Sequence, residues 1–379
     1  MRNRRRFRFQ VFLCLGLLTS LIVSLGPLAS AAVTVEVVAT GLNSPRGLDV
    51  APNGDVYVTE AGKGGNGACI RTSAGVDECF GTTGAITAIE NGNEEQHRVV
   101  TGLPSIADPK GGGAAAIGPS DVDFKGRRAL MTIGLAADPA LRANLGAPGR
   151  EMATVQTLTE RGAMTRLADI APFEIATNPD GDQPGAAVDT NPNSVYYEGD
   201  GAVVADAGGN SLLRVDEDGK VTTLAVFPFV MVRAPDFLGL PPGTKIPMQP
   251  VPTSVTRGPD GAYYVGQLTG FPFLAGRARV FRVVPREDPE VYRRGFTHIS
   301  DLEFGDDGKL YVLQLATRSL LDPDPGHGRL FRLDGGGVHT EIARGHLDFS
   351  LGLAIEGNDI YVSDRSVSPG GGRVLHIET

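Results

Sequence analysis

The 379-residue sequence contains no tryptophan, and phenylalanine and tyrosine bring its aromatic fraction to only 6%. Binding sites that stack sugar rings need broad aromatic side chains, so this composition argues mildly against a carbohydrate-stacking site. The motifs of several enzyme classes are also missing: there is no G-x-S-x-G, no H-E-x-x-H and no Walker loop. The six histidines include no pair at the helix or strand spacing of a metal site.

The N-terminal segment resembles a targeting signal. Residues 1–10 carry five arginines and no acidic residue, and an apolar run follows that ends in the small residues 29–31. This order is typical of a secretory signal peptide, so residues 1–31 are predicted to be removed and the protein to be extracytoplasmic. A transmembrane anchor is the alternative, but the chain becomes polar directly after the small residues.

Cysteine is scarce. Cys14 lies in the predicted signal peptide, which leaves Cys69 and Cys79 in a glycine-rich loop. A lone pair ten residues apart in an exported protein predicts a disulfide bond. A metal site or a redox centre is the alternative, and neither a C-x-x-C motif nor a nearby histidine cluster supports one.

Positive charge is also limited. Without residues 1–31 the chain has 30 basic and 44 acidic side chains, a net charge of −14. Such an acidic protein is a poor candidate for binding nucleic acid or anionic lipid. We expect a monomer with no membrane span after signal cleavage, and a partner that is a small molecule or another exported protein.

Helical periodicity is scarce as well, and only residues 132–146 suit a short helix. What the chain does contain is an internal repeat of two short strands around a tight turn. Its six copies begin at Pro45, Pro119, Pro192, Pro252, Ile299 and Ser350. Two apolar residues alternate in the first strand, a turn such as NG or PDG follows, and the second strand is rich in Val, Tyr and Leu. Most copies add a third strand, and five add a fourth.

Four antiparallel strands repeated around a ring predict an all-β, six-bladed β-propeller of the NHL or TolB-like type. A β-sandwich or two small barrels is the alternative. The sixth copy lacks a fourth strand, and VTVEVVATGL near the N-terminus resembles the missing one, so we expect it to close the last blade. The predicted single domain spans residues 32–379, with blades at about 45–103, 119–170, 192–227, 252–296, 299–345, and 350–379 with 33–42.

Loop lengths predict which face of the propeller carries function. The connections between first and second strands are short, whereas those between second and third strands and between blades are long. In a four-stranded meander both long sets emerge at the same end, so any site is expected on that loop-rich face around the central channel.

Polar residues expected at the channel rim, at the starts of inner strands, in the loop before blade 3 and at the end of a second strand, are the candidate ligand-binding groups. They are Arg46, Asp121, Asp189, Asn191, Asn193, Gln267 and Asp301. Carboxylate and amide oxygens at a channel mouth suit Ca²⁺, for which the candidate ligands are Asp121, Asn193, Asp206 and Asp301. The plainer interpretation is that these side chains cap turns and bond the backbone. His298 is the one histidine near an inner strand, and it is a candidate general base facing Asp301, or a packed rim residue.

Several segments resemble the ScyD/ScyE family, among them GLNSPRGLDVAPNGDVYVTEAGKGGNGACI, IGPSDVDF and DTNPNSVYYEGDGAVVADAGGNSLLRVD. The likeness covers most of residues 36–275. It implies an exported, NHL-repeat-like protein, in a family whose namesakes belong to scytonemin biosynthesis. It supplies no catalytic residues that map onto this chain.

The leading hypothesis is an exported binding or scaffold protein whose ligand lies at the loop-rich face. One alternative is a Ca²⁺-dependent lactonase or esterase at the channel mouth, where the metal would polarise the substrate carbonyl. A second alternative is a quinone-dependent dehydrogenase on the same face.

Overall fold

A computed structural model describes residues 33–92 and 95–379, so the predicted signal peptide with Cys14 lies outside the described residues. Five copies of the repeat form four-stranded antiparallel blades, with one short extra strand in blade 1, and the sixth copy is completed by the N-terminal strand. The six blades surround a central channel. The innermost strand of each blade packs against the innermost strands of both neighbours, which closes the ring. The predicted six-bladed propeller is therefore confirmed.

The blade strands follow from the channel outward. They are Pro45–Val50, Val56–Glu60, Asp77–Ile89 and Gln96–Ala107 in blade 1; Pro119–Lys125, Arg128–Ile133, Thr154–Thr159 and Met164–Asp169 in blade 2; Pro192–Glu198, Gly201–Asp206, Ser211–Val215 and Val221–Val226 in blade 3; Pro252–Arg257, Tyr263–Gln267, Ala278–Val283 and Glu290–Phe296 in blade 4; Ile299–Phe304, Leu310–Gln314, Arg329–Gly335 and Val338–Ile342 in blade 5; and Gly352–Glu356, Asp359–Asp364, Pro369–Glu378 and Thr34–Asn43 in blade 6.

The last blade is built from both ends of the described chain. Thr34–Asn43 pairs antiparallel with Pro369–Glu378, with Thr34 opposite Glu378. This confirms the predicted closure by the N-terminal strand, and it gives the outer edge of the third strand of blade 6 a hydrogen-bonded partner.

The core lies between blades. The second strand of several blades is buried along its whole length because both of its faces meet a neighbouring blade, as in Tyr263–Gln267. Between blades 3 and 4, Phe227 packs on Phe281 with ring centroids 5.0 Å apart. Burying one such side chain contributes about 1.5–3 kcal/mol, so the contacts between blades stabilise the ring.

The long connections hold the remaining elements. Cys69–Arg71 pairs with the third strand of blade 1, and a disulfide bond joins Cys69 to Cys79 as predicted. Residues 132–146 were predicted to hold the one helix; a 3₁₀ turn lies at Pro139–Leu145 and a single α-turn at Gly146–Gly149. The elements that the sequence analysis did not predict are the α-helix Ala171–Thr177, the hairpin Val230–Arg233 with Lys245–Met248, and the 3₁₀ turns Glu90–Gly92 and Asp236–Leu238.

Residues 33–379 form one compact unit. Among the helices of the described residues, none has the length and apolar character needed to cross a membrane.

Candidate functional site

The central channel holds a cavity of about 110 Å³, lined by the inner strands of all six blades. Alternate residues of a strand face the same side, which turns side chains two positions apart into the channel. Five carboxyl groups from blades 1, 2 and 5 line it in this way: Asp49, Asp121, Asp123, Asp301 and Glu303. A space of this size holds a few water molecules but falls below the volume of ordinary ligand pockets.

The channel carboxylates connect one blade to the next. Each of four aspartates accepts a hydrogen bond from a backbone N–H in the inner strand of the following blade. The pairs are Asp49 with Phe124 (2.6 Å), Asp121 with Val195 (2.9 Å), Asp123 with Tyr197 (2.6 Å) and Asp301 with Leu353 (2.8 Å). The inner strand has no partner strand on its channel side, so these carboxylates satisfy backbone groups that lie between blades.

Burial in the channel raises the pKa of every one of these carboxyl groups. The pKa of Asp301 rises to about 7 and that of Asp123 to about 6. The pKa values of Asp49, Asp121 and Glu303 lie well above the ordinary range, first because of burial and then because of neighbouring carboxylates. Protonation of some of the five channel carboxyl groups is therefore favoured over a state in which all five are ionised.

The four candidate metal ligands do not converge on one point. Asp121 and Asp301 face the same cavity. Asn193 instead donates from Nδ2 to the carbonyl of Thr253 at 2.6 Å, and Asp206 belongs to a separate buried group. In the part of the chain that the structure describes, no three His, Cys, Asp or Glu side chains are placed to hold a metal ion as they stand.

Arg46 lies at the channel mouth beneath a long connection of blade 1. Its Nη2 donates to the carbonyl of Ala116, and the N–H of Ala115 donates to the carbonyl of Val367 in blade 6. Burial lowers the pKa of Arg46 to about 10 and raises the pKa of nearby Glu78 to about 7. The connection around Ala116 thus crosses the rim between blades 1 and 6.

His298 and Asp301 are not brought into contact. His298 is fully buried, and its Nδ1 lies 3.1 Å from the carbonyl oxygen of Leu268. Burial lowers its pKa. Both oxygens of Asp301 accept backbone N–H groups, from Leu302 and Leu353. Gln267 is also almost completely buried, with 1% of its surface exposed.

Asp189, Asn191 and Asp206 do come together, at the end of the second strand of blade 3. Asp206 accepts the N–H of Asn191 at 2.6 Å. Two further acids that the sequence analysis missed, Glu174 and Asp180, are buried beside them. Burial raises the pKa of all four carboxyl groups, to about 8 for Glu174 and about 6 for Asp189. The run of acidic and amide residues in NPDGDQPGAAVDTN was an available signal for Asp180, and Glu174 lies outside that run.

A cleft on the loop-rich face was also missed. It is lined by residues 230–237 of the unpredicted hairpin and its loop, by parts of 272–277 after the second strand of blade 4, and by parts of 319–321 after that of blade 5. Its volume is about 600 Å³, within the range of small-molecule pockets. Met231, Phe237 and Leu321 expose 48%, 69% and 45% of their surfaces there. Its lining also includes Arg233 and Arg277.

No model of a protein family matches the sequence, and no curated protein is similar to it. Solved structures share its fold. The PQQ-bound aldose sugar dehydrogenase of Streptomyces coelicolor has a TM-score of 0.52 and 12% identity over 92% of this chain and 99% of that chain. A Bacteroides thetaiotaomicron protein of unknown function has a TM-score of 0.54 and 11% identity, over 92% and 76%.

A protein described as a putative gluconolactonase has a TM-score of 0.50 and 11% identity, over 92% of this chain and 93% of that chain. These neighbours are six-bladed propellers, and at such low identity the likeness shows the fold alone. The narrower resemblance to the ScyD/ScyE family stays a prediction.

Proposed function

We propose that this protein is an extracytoplasmic binding protein whose ligand occupies the cleft on the loop-rich face. The ligand class is a compact, largely apolar molecule that carries one anionic group. The observation that carries the proposal is the combination, in a single cleft of about 600 Å³, of exposed apolar side chains with an arginine that forms no ion pair within the described chain. Of the two lining arginines, Arg233 pairs with Asp236 of the same lining at 3.0 Å, which leaves Arg277 to meet an anionic group.

The apolar side chains of the cleft support ligand binding, because a bound ligand would cover them and remove them from water. Phe237 leaves 69% of its surface in solvent, and its ring meets Phe271 edge to face at 6.2 Å. Large apolar side chains that are exposed together on a soluble protein usually mark an interaction site. An aromatic ligand would cover these rings and remove apolar area from water.

The cationic edge supports an anionic group on the ligand. Arg277 belongs to the cleft lining, and Arg279 and Arg294 lie close enough for their charges to interact. Burial, followed by repulsion from Arg294 and Arg277, lowers the pKa of Arg279. Within residues 33–92 and 95–379, none of the three arginines has an ion-pair partner. A guanidinium group binds carboxylates, sulfonates and phosphates by paired hydrogen bonds.

The central channel is a less suitable ligand-binding site than the cleft. Its cavity of about 110 Å³ is small, and its aspartates already accept backbone N–H groups. The lactonase or esterase and the quinone-dependent dehydrogenase stay predictions, since each needs a metal or quinone site at the channel mouth. The disulfide bond between Cys69 and Cys79 supports the extracytoplasmic location, because such bonds persist in oxidising compartments.

Dye binding tests the proposal. Anilinonaphthalene sulfonate is an apolar aromatic anion, and we expect one molecule to bind per chain with enhanced fluorescence. Phe237→Ser should weaken binding about fivefold, because one aromatic contact contributes about 1 kcal/mol. Arg277→Gln should weaken binding of this dye but not of neutral phenylnaphthylamine, because only the former carries a charge.

Leu240→Ser is the matched control. Leu240 is 45% exposed in the same inter-blade connection but does not line the cleft, so its loss should leave dye affinity unchanged. Equal loss of affinity in Leu240→Ser and Phe237→Ser would indicate unspecific binding to exposed apolar surface. Failure of the wild-type protein to bind either dye would refute the small-molecule proposal and favour a protein partner.

A further inference from the structure

Four carboxyl groups of the loop-rich face form a buried acidic cluster, which consists of Glu174, Asp180, Asp189 and Asp206. Glu174 belongs to the helix Ala171–Thr177, Asp180 and Asp189 to the connection into blade 3, and Asp206 ends the second strand of that blade. Glu174, Asp180 and Asp206 are fully buried, and Asp189 has 9% of its surface exposed. Buried charges normally need a counter-charge.

Two other blades show what that counter-charge is. Glu60 in blade 1 and Asp364 in blade 6 end their second strands as Asp206 does, and both are fully buried. Arg98 pairs with Glu60 at 2.8 Å, and Arg373 pairs with Asp364 at 2.7 Å. An arginine therefore neutralises the equivalent carboxylate in both blades.

Blade 3 lacks an arginine at this position. In blade 6 the strand register places Arg373 opposite Asp364. In blade 3 the same register places Ser211 opposite Asp206. Among the described residues, no lysine, arginine or histidine forms an ion pair with any member of the acidic cluster. Asp206 instead accepts the N–H groups of Asn191, Gly208 and Gly209 and the hydroxyl group of Thr190. Hydrogen bonds therefore stabilise its charge, whereas no cationic side chain in the described part of the chain pairs with Glu174 or Asp189.

Unpartnered oxygens point into the cluster. Glu174 Oε2 and Asp189 Oδ1 are buried and accept no hydrogen bond from the described residues. A Cβ atom built on Gly209 would lie 3.1 Å from Glu174 Oε2, 3.4 Å from the Asp189 carbonyl oxygen and 3.5 Å from Asp206 Cγ. Three groups of oxygen ligands thus surround the same glycine, and a side chain there would fill the space between them.

We infer that the acidic cluster binds one Ca²⁺ ion, with Glu174, Asp189 and Asp206 as its carboxylate ligands. Ca²⁺ takes carboxylate and carbonyl oxygens in irregular geometry and supplies the positive charge that Arg98 and Arg373 supply elsewhere. The described side chains do not yet surround one point at coordinating distance. Binding therefore requires Glu174 and Asp189 to turn their free oxygens toward Asp206. The Asn178 amide, 3.1 Å from the other carboxyl oxygen of Glu174, must follow that turn or give up its hydrogen bond.

This site is separate from the cleft, and its role is to fix the connection into blade 3. Protonation is the competing way to remove the charge, because burial and mutual repulsion raise the pKa of Glu174 to about 8. The two explanations differ in what an added ion does. Protonated carboxyl groups gain nothing from Ca²⁺, whereas an ion that binds only the folded chain must raise its melting temperature.

The test is thermal unfolding and calorimetric Ca²⁺ titration of the chelator-treated protein. We expect one ion per chain and, at a hundredfold excess over Kd, a rise in melting temperature of about 4 °C. Glu174→Gln and Asp206→Asn should each lower Ca²⁺ affinity at least tenfold. In chelator, Glu174→Gln should melt above the wild type, because a buried neutral amide costs less free energy than a buried carboxyl group without a counter-charge.

Asp364→Asn is the matched control, because it alters the equivalent carboxylate of a blade that keeps its arginine. It should lower the melting temperature but leave the Ca²⁺-induced rise intact. Absence of stoichiometric binding to the wild type, or unchanged affinity in both cluster variants, would overturn the inference. Loss of binding in Asp121→Asn with retention in Glu174→Gln would also overturn it, and would place the ion in the channel.

Discussion

Replacing Asp301 by asparagine should weaken the fold at pH 4 and strengthen it at pH 8. Both carboxyl oxygens of Asp301 accept backbone N–H groups at 2.8 Å, from Leu302 in its own strand and from Leu353 in the next blade. A protonated carboxyl group keeps two oxygens that accept, whereas an amide has one oxygen and an NH₂ group that cannot. The variant therefore loses about 1 kcal/mol at low pH, the contribution of one hydrogen bond.

At high pH the balance reverses. The pKa of Asp301 rises from 3.8 in the ordinary case to about 7 in the folded channel. A carboxyl group with a raised folded pKa stabilises the fold fully below its unfolded pKa, and this stability is lost as the pH rises from about 4 to about 7. Three pKa units correspond to about 4 kcal/mol, and screening by water in the channel reduces this to about 2 kcal/mol. Asparagine does not ionise, so the variant should be about 1 kcal/mol more stable at pH 8.

Urea midpoints measured by circular dichroism between pH 4 and pH 8 would test this reversal. The wild-type midpoint should fall as the pH rises, the variant midpoint should fall less, and the two curves should cross. Asp200→Asn, in an exposed turn of blade 3, is the control and should follow the wild type at every pH. A constant difference between Asp301→Asn and wild type across the range would refute the argument, because it would mean that Asp301 stays ionised in the fold.

Two further changes probe the packing around the channel and the long loop of blade 1. Gly47→Ala should reduce the free energy of unfolding by about 1–3 kcal/mol and so lower the urea midpoint, because its Cβ would lie 1.9 Å from Asp121 Oδ1 and 2.8 Å from Asp121 Cα. An unchanged midpoint would mean that the inner strands separate easily. Replacing both Cys69 and Cys79 by serine should cost about 3 kcal/mol, the loop entropy of a bond that spans ten residues. Adding reductant should reproduce that loss in the wild type, and reductant without effect would contradict it.

Most of the fold could be predicted from the sequence because the repeat is local. Asn53-Gly54 and its equivalents mark the same tight turn in each blade, and Gly54 adopts a φ of +86° that favours glycine. The alternation of apolar residues fixes which side of each strand is buried. The hairpin Val230–Arg233 with Lys245–Met248 was missed because it lies in a proline-rich connection outside the repeat, although its strands flank a P-P-G turn.

The candidate site could be predicted only in part. The sequence places Asp121 and Asp301 on inner strands. Which backbone N–H group of the next blade donates to each carboxylate depends on the offset between neighbouring inner strands, and the sequence of one blade does not determine that offset. Glu174 and Asp180 belong to a connection without periodicity, so nothing in their spacing links them to Asp206. The absence of an arginine opposite Asp206 becomes visible only when the strand registers of blades 3 and 6 are compared.

The closure of blade 6 has a mechanical consequence. Thr34 and Glu378 face each other at the same end of an antiparallel pair of strands. A force that pulls these two residues apart loads the backbone hydrogen bonds between them one after another, as in opening a zipper, rather than all at once in shear. The ring should therefore yield first along this pair at low force, while the other five blades keep their meanders.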